Sequence, residues 1–158
     1  MRELRVYVDT SVFGGTQDEE FAEPSLRFFD RVRKGEFTVV VSQVSLDELH
    51  LAPPAVRGVL DGLADEAVET AAIADDVRTL AAAYVAAGAL GEASEEDALH
   101  VAAATIARVD LLVSWNFRHI VNLQRIRMFN SVNLAAGYGL IDVRSPLEVV
   151  YGREDEDV

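Results

Sequence analysis

The chain has no cysteine, a single lysine and a single tryptophan among its 158 residues. Without cysteine there is no disulfide framework, no thiolate metal site and no cysteine nucleophile. Positive charge is scarce: 14 Lys and Arg stand against 27 Asp and Glu, for a net charge of −13. That balance argues against a generic nucleic-acid binder, which presents a basic surface. No apolar run approaches the ~18 residues of a membrane span. Met1-Arg2-Glu3-Leu4 leads straight into a strand-like run with no apolar signal region, so the expectation is a cytoplasmic protein with no membrane association.

What is present is an ordinary globular composition, 50% hydrophobic and 26% charged. The length favours one domain, large enough to bury roughly 70% of the surface its unfolded chain exposes. The acidic excess is concentrated in three patches: Asp18, Glu19, Glu20 and Glu23; Glu92, Glu95, Glu96 and Asp97; and the tail Glu154 to Asp157. Setting these aside leaves the remaining charge near balance, and each patch in isolation reads as a solvated loop or helix start.

Leu4 to Val8 reads as a short strand ending at Asp9-Thr10-Ser11. Gly14-Gly15 and the first acidic patch then read as a loop, and Pro24-Ser25 opens a helix to about Lys34, with Leu26, Phe28, Phe29 and Val32 as candidates for its inner face. Arg27, Arg31 and Lys34 form one basic stripe on that helix. Phe37 to Val41 has the continuous apolar, β-branched character of a strand buried on both faces. Ser45 begins a short helix through His50, and Ala55 to Leu63 forms another. Val68 to Ile73 is a candidate strand and Ala74 to Ala87 an Ala-rich helix, with Gly88 and Gly91 at its exit. Ser94 caps a helix to about Arg108. Leu111 to Ser114 is a strand ending in Trp115-Asn116, Gln124 to about Ala136 a helix, Leu140 to Val143 a last strand, and Pro146 to Val150 a helical turn. Residues 153–158 read as a disordered acidic tail. Strands alternating with helices predict a parallel sheet covered on both faces.

Ligands of such sheets bind outside the carboxyl ends of the strands. Asp9 follows the first strand, Glu48 lies in the helix after the second, and Asp97 stands in the first turn of the helix before the fourth. Three carboxylates in one pocket repel: two unit charges ~4 Å apart at an effective dielectric of about 20 cost roughly 4 kcal/mol. The cluster must protonate or take up a cation, and hard oxygen donors suit Mg²⁺ or Mn²⁺ rather than zinc. Such a metal activates water and stabilises a phosphoryl transition state. Each acid also has a plainer reading. Ser94 with Asp97, and Ser45 with Glu48, have the spacing of a capping box, and Asp9 could belong to a turn with Thr10 and Ser11. Glu48 is preferred to Asp47, which Val44 and Leu46 place on the outer side. His100, one turn after Asp97 on an apolar helix, reads as a buried supporting group rather than a base, and Trp115 as packing rather than a base-stacking platform.

Taken together, Tyr7-Val8-Asp9-Thr10-Ser11-Val12-Phe13, Ser45-Leu46-Asp47-Glu48-Leu49, Glu96-Asp97-Ala98-Leu99-His100-Val101-Ala102-Ala103-Ala104 and Leu112-Val113-Ser114-Trp115-Asn116 resemble the ordered motifs of a PIN domain. The resemblance spans about Leu4 to Val150 and is strongest to VapC-type toxins of bacterial toxin–antitoxin pairs. It implies an α/β fold, a three-layer α/β/α sandwich around a parallel sheet of about five strands, in a single domain over residues 1–152. It implies a Mg²⁺- or Mn²⁺-dependent endoribonuclease, with Asp9, Glu48 and Asp97 as metal-binding acids, Asn116 as a further catalytic position, and Ser11 and His100 as supporting residues. It implies an RNA substrate, a cognate antitoxin and a homodimer. The family's last acid corresponds to His119 here, which implies one metal on three acids, with any second completed by substrate phosphate. RNA would be held by Arg27, Arg31 and Lys34 or by Arg118, Arg125 and Arg127. The alternative is a catalytically weak PIN domain that works as a partner-binding module. A phosphoacceptor receiver domain fails for want of a lysine after a late strand, and a haloacid-dehalogenase-type phosphatase because residue 11 is Ser rather than Asp.

Overall fold

Alternation along the first strand, β1 (Leu4–Val8), sets the layers: Val6 and Val8 bury on one face of the sheet and Tyr7 on the other, as a two-residue period requires. The computed structural model describes residues 3–88 and 95–151. After β1 come α1 (Thr10–Gly15), α2 (Ala22–Arg33), β2 (Phe37–Ser42), α3 (Gln43–His50), α4 (Pro54–Asp61), a 3-10 turn at Asp65–Ala67 and β3 (Val68–Ala71). The second half holds α5 (Asp75–Ala86), α6 (Glu95–Ile106), β4 (Leu111–Val113), α7 (Leu123–Ala135), β5 (Val143–Arg144) and α8 (Pro146–Tyr151). The five strands form one parallel sheet in the order β3-β2-β1-β4-β5. Tyr7, Val40 and Leu112 pack under α5, α6 and α7, while Val6, Val8, Val39, Val41 and Val113 pack under α1, α2, α3 and α8. This is the three-layer α/β/α sandwich that the alternation of elements predicts.

The strand order reverses between β1 and β4, and a crevice opens there at the carboxyl edge of the sheet. Register places Val8 beside Val113, and the ladder runs on as Asp9 N donates to Val113 O at 3.0 Å. Both chains therefore leave the sheet at the same level. Helix α6 joins them there: β4 begins at the opposite edge, where Asp110 N donates to Arg5 O, so α6 must run against the strands and start at the carboxyl edge.

Several local expectations change. Thr10–Gly15 is a helix rather than a loop, with Asp9 in extended conformation before it. Gly15 is needed for close approach: a Cβ there would stand 2.5 Å from Ser25 Oγ and 2.7 Å from Trp115 Nε1. Helix α2 starts at Ala22, and its buried face is Phe28, Phe29 and Val32, while Leu26 is exposed. Gly35 closes it in the left-handed region at φ 81°. The last strand is only Val143–Arg144, because Asn130 takes up the backbone of Ile141 instead: its Oδ1 accepts from Ile141 N and its Nδ2 donates to Ile141 O. The helix cap expected at Ser94, the glycine at 91 and the acidic tail 153–158 lie outside the described residues.

Candidate active site

Asp9 is buried where β1 ends, and two hydroxyls hold one of its oxygens. Ser11 Oγ and Ser114 Oγ each donate to Asp9 Oδ2 at 2.7 Å. Ser114 Oγ accepts from Asn116 N, and Ser11 Oγ from Trp115 N, so the chain after β4 is pinned to the chain after β1. Asp9 makes no side-chain cap on α1; the serines serve the carboxylate, not the reverse. Its other oxygen, Oδ1, faces His100 Nε2 at 3.7 Å.

Glu48 arrives on α3. The residue that caps this helix is Ser42, with Ser45 in its first turn: Ser42 N donates to Ser45 Oγ at 3.1 Å. That corrects the Ser45–Glu48 capping arrangement and leaves Glu48, a turn further on, with no capping task. Asp47 is exposed and accepts from Gln43 Nε2, in keeping with the preference for Glu48. Glu48 Oε1 accepts from Thr10 Oγ1 at 3.2 Å and lies 2.5 Å from His100 Nε2.

His100 is the centre of the arrangement. It is 1% exposed, and its Nδ1 lies 2.7 Å from the Tyr7 hydroxyl, which meets Ser42 Oγ at 2.8 Å. Burial alone would lower its pKa, but the hydrogen bond to Glu48 and the electrostatic pull of the Tyr7 oxygen and of the Asp9 and Glu48 carboxylates outweigh burial and raise it to about 10. The imidazole is thus a cation held between two of the acids. Asp97, in the first turn of α6, is half-buried; burial and then the Asp9 charge hold its carboxyl above the usual range, Glu48 adds to this, and His100 and His119 oppose it.

Asp9, Glu48, Asp97, Ser11 and Asn116 line one cleft of about 510 Å³, joined by Thr10, Gly14, Gly15, Asp18, Phe21 and Trp115. Asn116 Oδ1 accepts from His119 N at 2.9 Å, which holds the amide in place beside the cleft. Residues 117–120 form a turn, and His119 within it acts electrostatically on Asp97, opposing the rise of its pKa. Trp115 is packed, as expected: it stacks on Phe21 at 4.2 Å and donates to Ser25 Oγ.

The donors, three carboxylates with no thiolate, fit a hard divalent cation such as Mg²⁺ or Mn²⁺. As the side chains stand, no group of three Asp, Glu or His among the described residues closes on a single ion position. Glu48 is turned to His100 instead, and ligation would exchange that bond for a metal contact.

No family model matches the chain, and no curated protein matches it in sequence. Solved structures do. A chain of VapBC2 from Rickettsia felis, solved bound to a DNA fragment from the promoter, superposes with a TM-score of 0.58 at 12% identity, covering 90% of this chain and 98% of that one. VapC20 of Mycobacterium tuberculosis, a toxin that cleaves the sarcin–ricin loop, superposes with a TM-score of 0.56 at 15% identity, covering 87% and 98%. The chain has the VapC fold. Within the VapC fold, the four sequence segments that resemble PIN motifs are the ones that meet around the cleft. Sequence reasoning placed Asp9, Glu48 and Asp97 but missed Thr10 and Asp18 as cleft residues, and it missed Tyr7 as the partner of His100. Tyr7 sits in an apolar strand and its partner is 93 positions away, so no local pattern marks it.

Proposed function

We propose that this chain is a Mg²⁺- or Mn²⁺-dependent endoribonuclease, the toxin of a toxin–antitoxin pair, which hydrolyses RNA phosphodiesters in this cleft. The observation that carries the reading is the convergence of Asp9, Glu48 and Asp97 at the strand-order reversal of a VapC fold. Asp9, Glu48 and Asp97 would hold the cation, which supplies Lewis-acid stabilisation of phosphoryl oxygens and activation of water. Ser11 and Ser114 both donate to Asp9 Oδ2 and so fix the carboxylate at the end of β1, with Oδ1 on the side of His100. Tyr7 holds His100, and Thr10 and His100 hold Glu48 in the metal-free cleft; ligation would exchange the His100 bond for a metal contact. The Asn116 amide donates to a phosphate oxygen. A negatively charged cleft also suits a basic side chain of a cognate antitoxin, and a second copy of the chain completes the expected assembly.

The test is cleavage of RNA by the purified chain with Mn²⁺ and with EDTA, alongside calorimetric titration of Mn²⁺. Asp9→Asn, Glu48→Gln and Asp97→Asn should abolish cleavage with the metal-free fold intact, and Asp97→Asn should raise metal-free stability because a buried like charge is removed. Equal Mn²⁺ binding in wild type and Asp9→Asn sinks the metal assignment. The second reading, a partner-binding module with weak catalysis, is favoured by the engagement of Glu48 with His100. Mn²⁺ that raises the melting temperature without permitting cleavage would select it.

A further inference from the structure

The chain holds twelve aromatic residues, all of them among the described ones, and Phe117 is the one that stands exposed, at 46%. Among the described residues, the other large apolar side chains that are exposed are all leucines. Phe117 directly follows Asn116, a residue of the cleft, and its ring meets that of Trp115, another cleft residue, edge-on at 6.0 Å with the planes 67° apart. Trp115 cannot itself receive a ligand on that wall: it is 6% exposed, covered by Phe21 and tied to Ser25. Phe117 is therefore an exposed ring backed by a fixed one.

Its backbone is equally fixed. Phe117 N donates to Trp115 O at 2.9 Å, and the turn beyond closes on Asn116, whose backbone oxygen accepts from Ile120 N and Val121 N and whose side chain accepts from His119 N. A ring presented on a rigid loop loses little conformational freedom when something stacks on it. Electrostatics says what that something is. The cleft is lined by Asp9, Asp18, Glu48 and Asp97, and the arginines of α2 are spent on neighbouring acids: Arg27 on Glu23, Arg31 on Glu36 and Arg33 on Asp30. Backbone phosphates find little attraction here, whereas base stacking on an aromatic face does not depend on positive charge, and every base has such a face. Arg118 beside Phe117 is exposed, with no ion-pair partner among the described residues.

We propose that Phe117 is a substrate-binding residue that stacks an unpaired nucleobase of single-stranded RNA at the rim of the cleft. The proposal rests on the ribonuclease reading above and adds to it a requirement for unpaired bases. In a duplex the base faces are already stacked, so a loop or a free strand is the form that Phe117 can hold.

The test uses the full chain and its sole tryptophan, Trp115, as a reporter. The probes are a short single-stranded RNA of mixed sequence, the same strand made abasic, and its duplex. Phe117→Ala and Phe117→Leu are expected to weaken single-strand binding about tenfold and to raise KM more than they lower kcat, whereas Phe117→Tyr keeps wild-type affinity. Leucine retains the apolar contact with Trp115 but has no π-face, which separates stacking from packing. The intact strand should change Trp115 emission, and the abasic strand and the duplex should not. Unaltered affinity in Phe117→Leu while wild type cleaves RNA overturns the proposal and leaves the ribonuclease reading standing. So does an abasic strand that binds as tightly as the intact one. A chain that neither binds nor cleaves RNA overturns both. Phe117→Leu that keeps RNA affinity but releases a protein co-purified from the adjacent reading frame assigns Phe117 to a protein interface and overturns the proposal.

Discussion

His100 decides the state of the metal-free cleft. With its pKa at about 10, both ring nitrogens carry protons at neutral pH. Nε2–H then donates to Glu48 and Nδ1–H to the Tyr7 oxygen, leaving the Tyr7 O–H to donate to Ser42 Oγ, so these three protons each have an acceptor. The linkage has a definite sign. The folded value lies above the ~6.5 of an unfolded imidazole, so the stabilisation is complete below about pH 6.5 and is lost as pH rises through about 10. Urea midpoints measured in EDTA should fall across that window in wild type. Glu48→Gln removes the hydrogen-bonded carboxylate that raises the imidazole and should flatten the curve; a Glu48→Gln curve as steep as wild type would show that the cation is held by something else. His119 stands three residues from Asn116, at the same end of the sheet. Among the described residues His119 Nδ1 is buried without a hydrogen-bond partner, and the side chain acts electrostatically to lower the Asp97 pKa. That side chain therefore stays within electrical reach of the site although no carboxylate is there.

Helix α1 is the element that shapes the near wall of the cleft, and it is also the one the sequence concealed. Gly14-Gly15 reads as a loop because glycine destabilises helix interiors. The two glycines have different reasons. Nothing lies within 4 Å of a Cβ at Gly14, whereas a Cβ at Gly15 collides with Ser25 and Trp115. Gly14→Ala should stabilise the chain by about 0.5–1 kcal/mol. Gly15→Ala should destabilise it by about 1–3 kcal/mol through overpacking and redden Trp115 emission by breaking its bond to Ser25. Thermal melts of the two variants with Trp115 fluorescence check both signs, and equal effects would remove the close-approach argument. Elements set by an apolar run were legible: β1 and β2 lie where Leu4 to Val8 and Phe37 to Val41 put them, because a doubly buried strand has to be continuously apolar. Elements set by a distant partner were not. Leu140 to Ile141 has strand composition, yet Asn130 on α7 claims its backbone. Ser45 has cap composition, yet the chain turns into α3 at Ser42, where Tyr7 and Ser45 meet its hydroxyl and amide. The three acids line one cleft for a related reason: Asp9 follows a readable strand, and Glu48 on α3 and Asp97 in the first turn of α6 lie at the same edge of the sheet.

At the scale of the molecule, the net charge of −13 and the proposed RNA substrate have to be reconciled. Among the described residues, five of the chain's thirteen arginines are paired with acids rather than standing free. Arg5 pairs with Glu69, Arg31 with Glu36, Arg33 with Asp30, and Arg144 with Asp142 and Glu148, while Arg27 pairs with Glu23 and lies over the Tyr151 ring. The stripe of Arg27 and Arg31 thus ties α2 to its surroundings, and Arg31 also donates to Val149 O, anchoring α8. It serves the fold before it serves any ligand. A conventional single-strand binder releases one counterion for each phosphate it neutralises, and the logarithm of its affinity falls with a slope of about −0.7 per phosphate against the logarithm of salt concentration. Here the cations near the cleft are few and its walls are acidic, so affinity must come from stacking, hydrogen bonding and the divalent cation. The slope for a short single-stranded RNA, measured in KCl at fixed Mn²⁺, should therefore be shallower than about −2, the value for roughly three phosphate contacts. A slope several times steeper would mean that Arg27, Arg31 and Arg33 leave their acids to grip the backbone. Charge reversal at Glu23, Asp30 and Glu36 would then be needed to apportion them, since in the paired arrangement those substitutions free cations and should make the slope steeper than that of wild type.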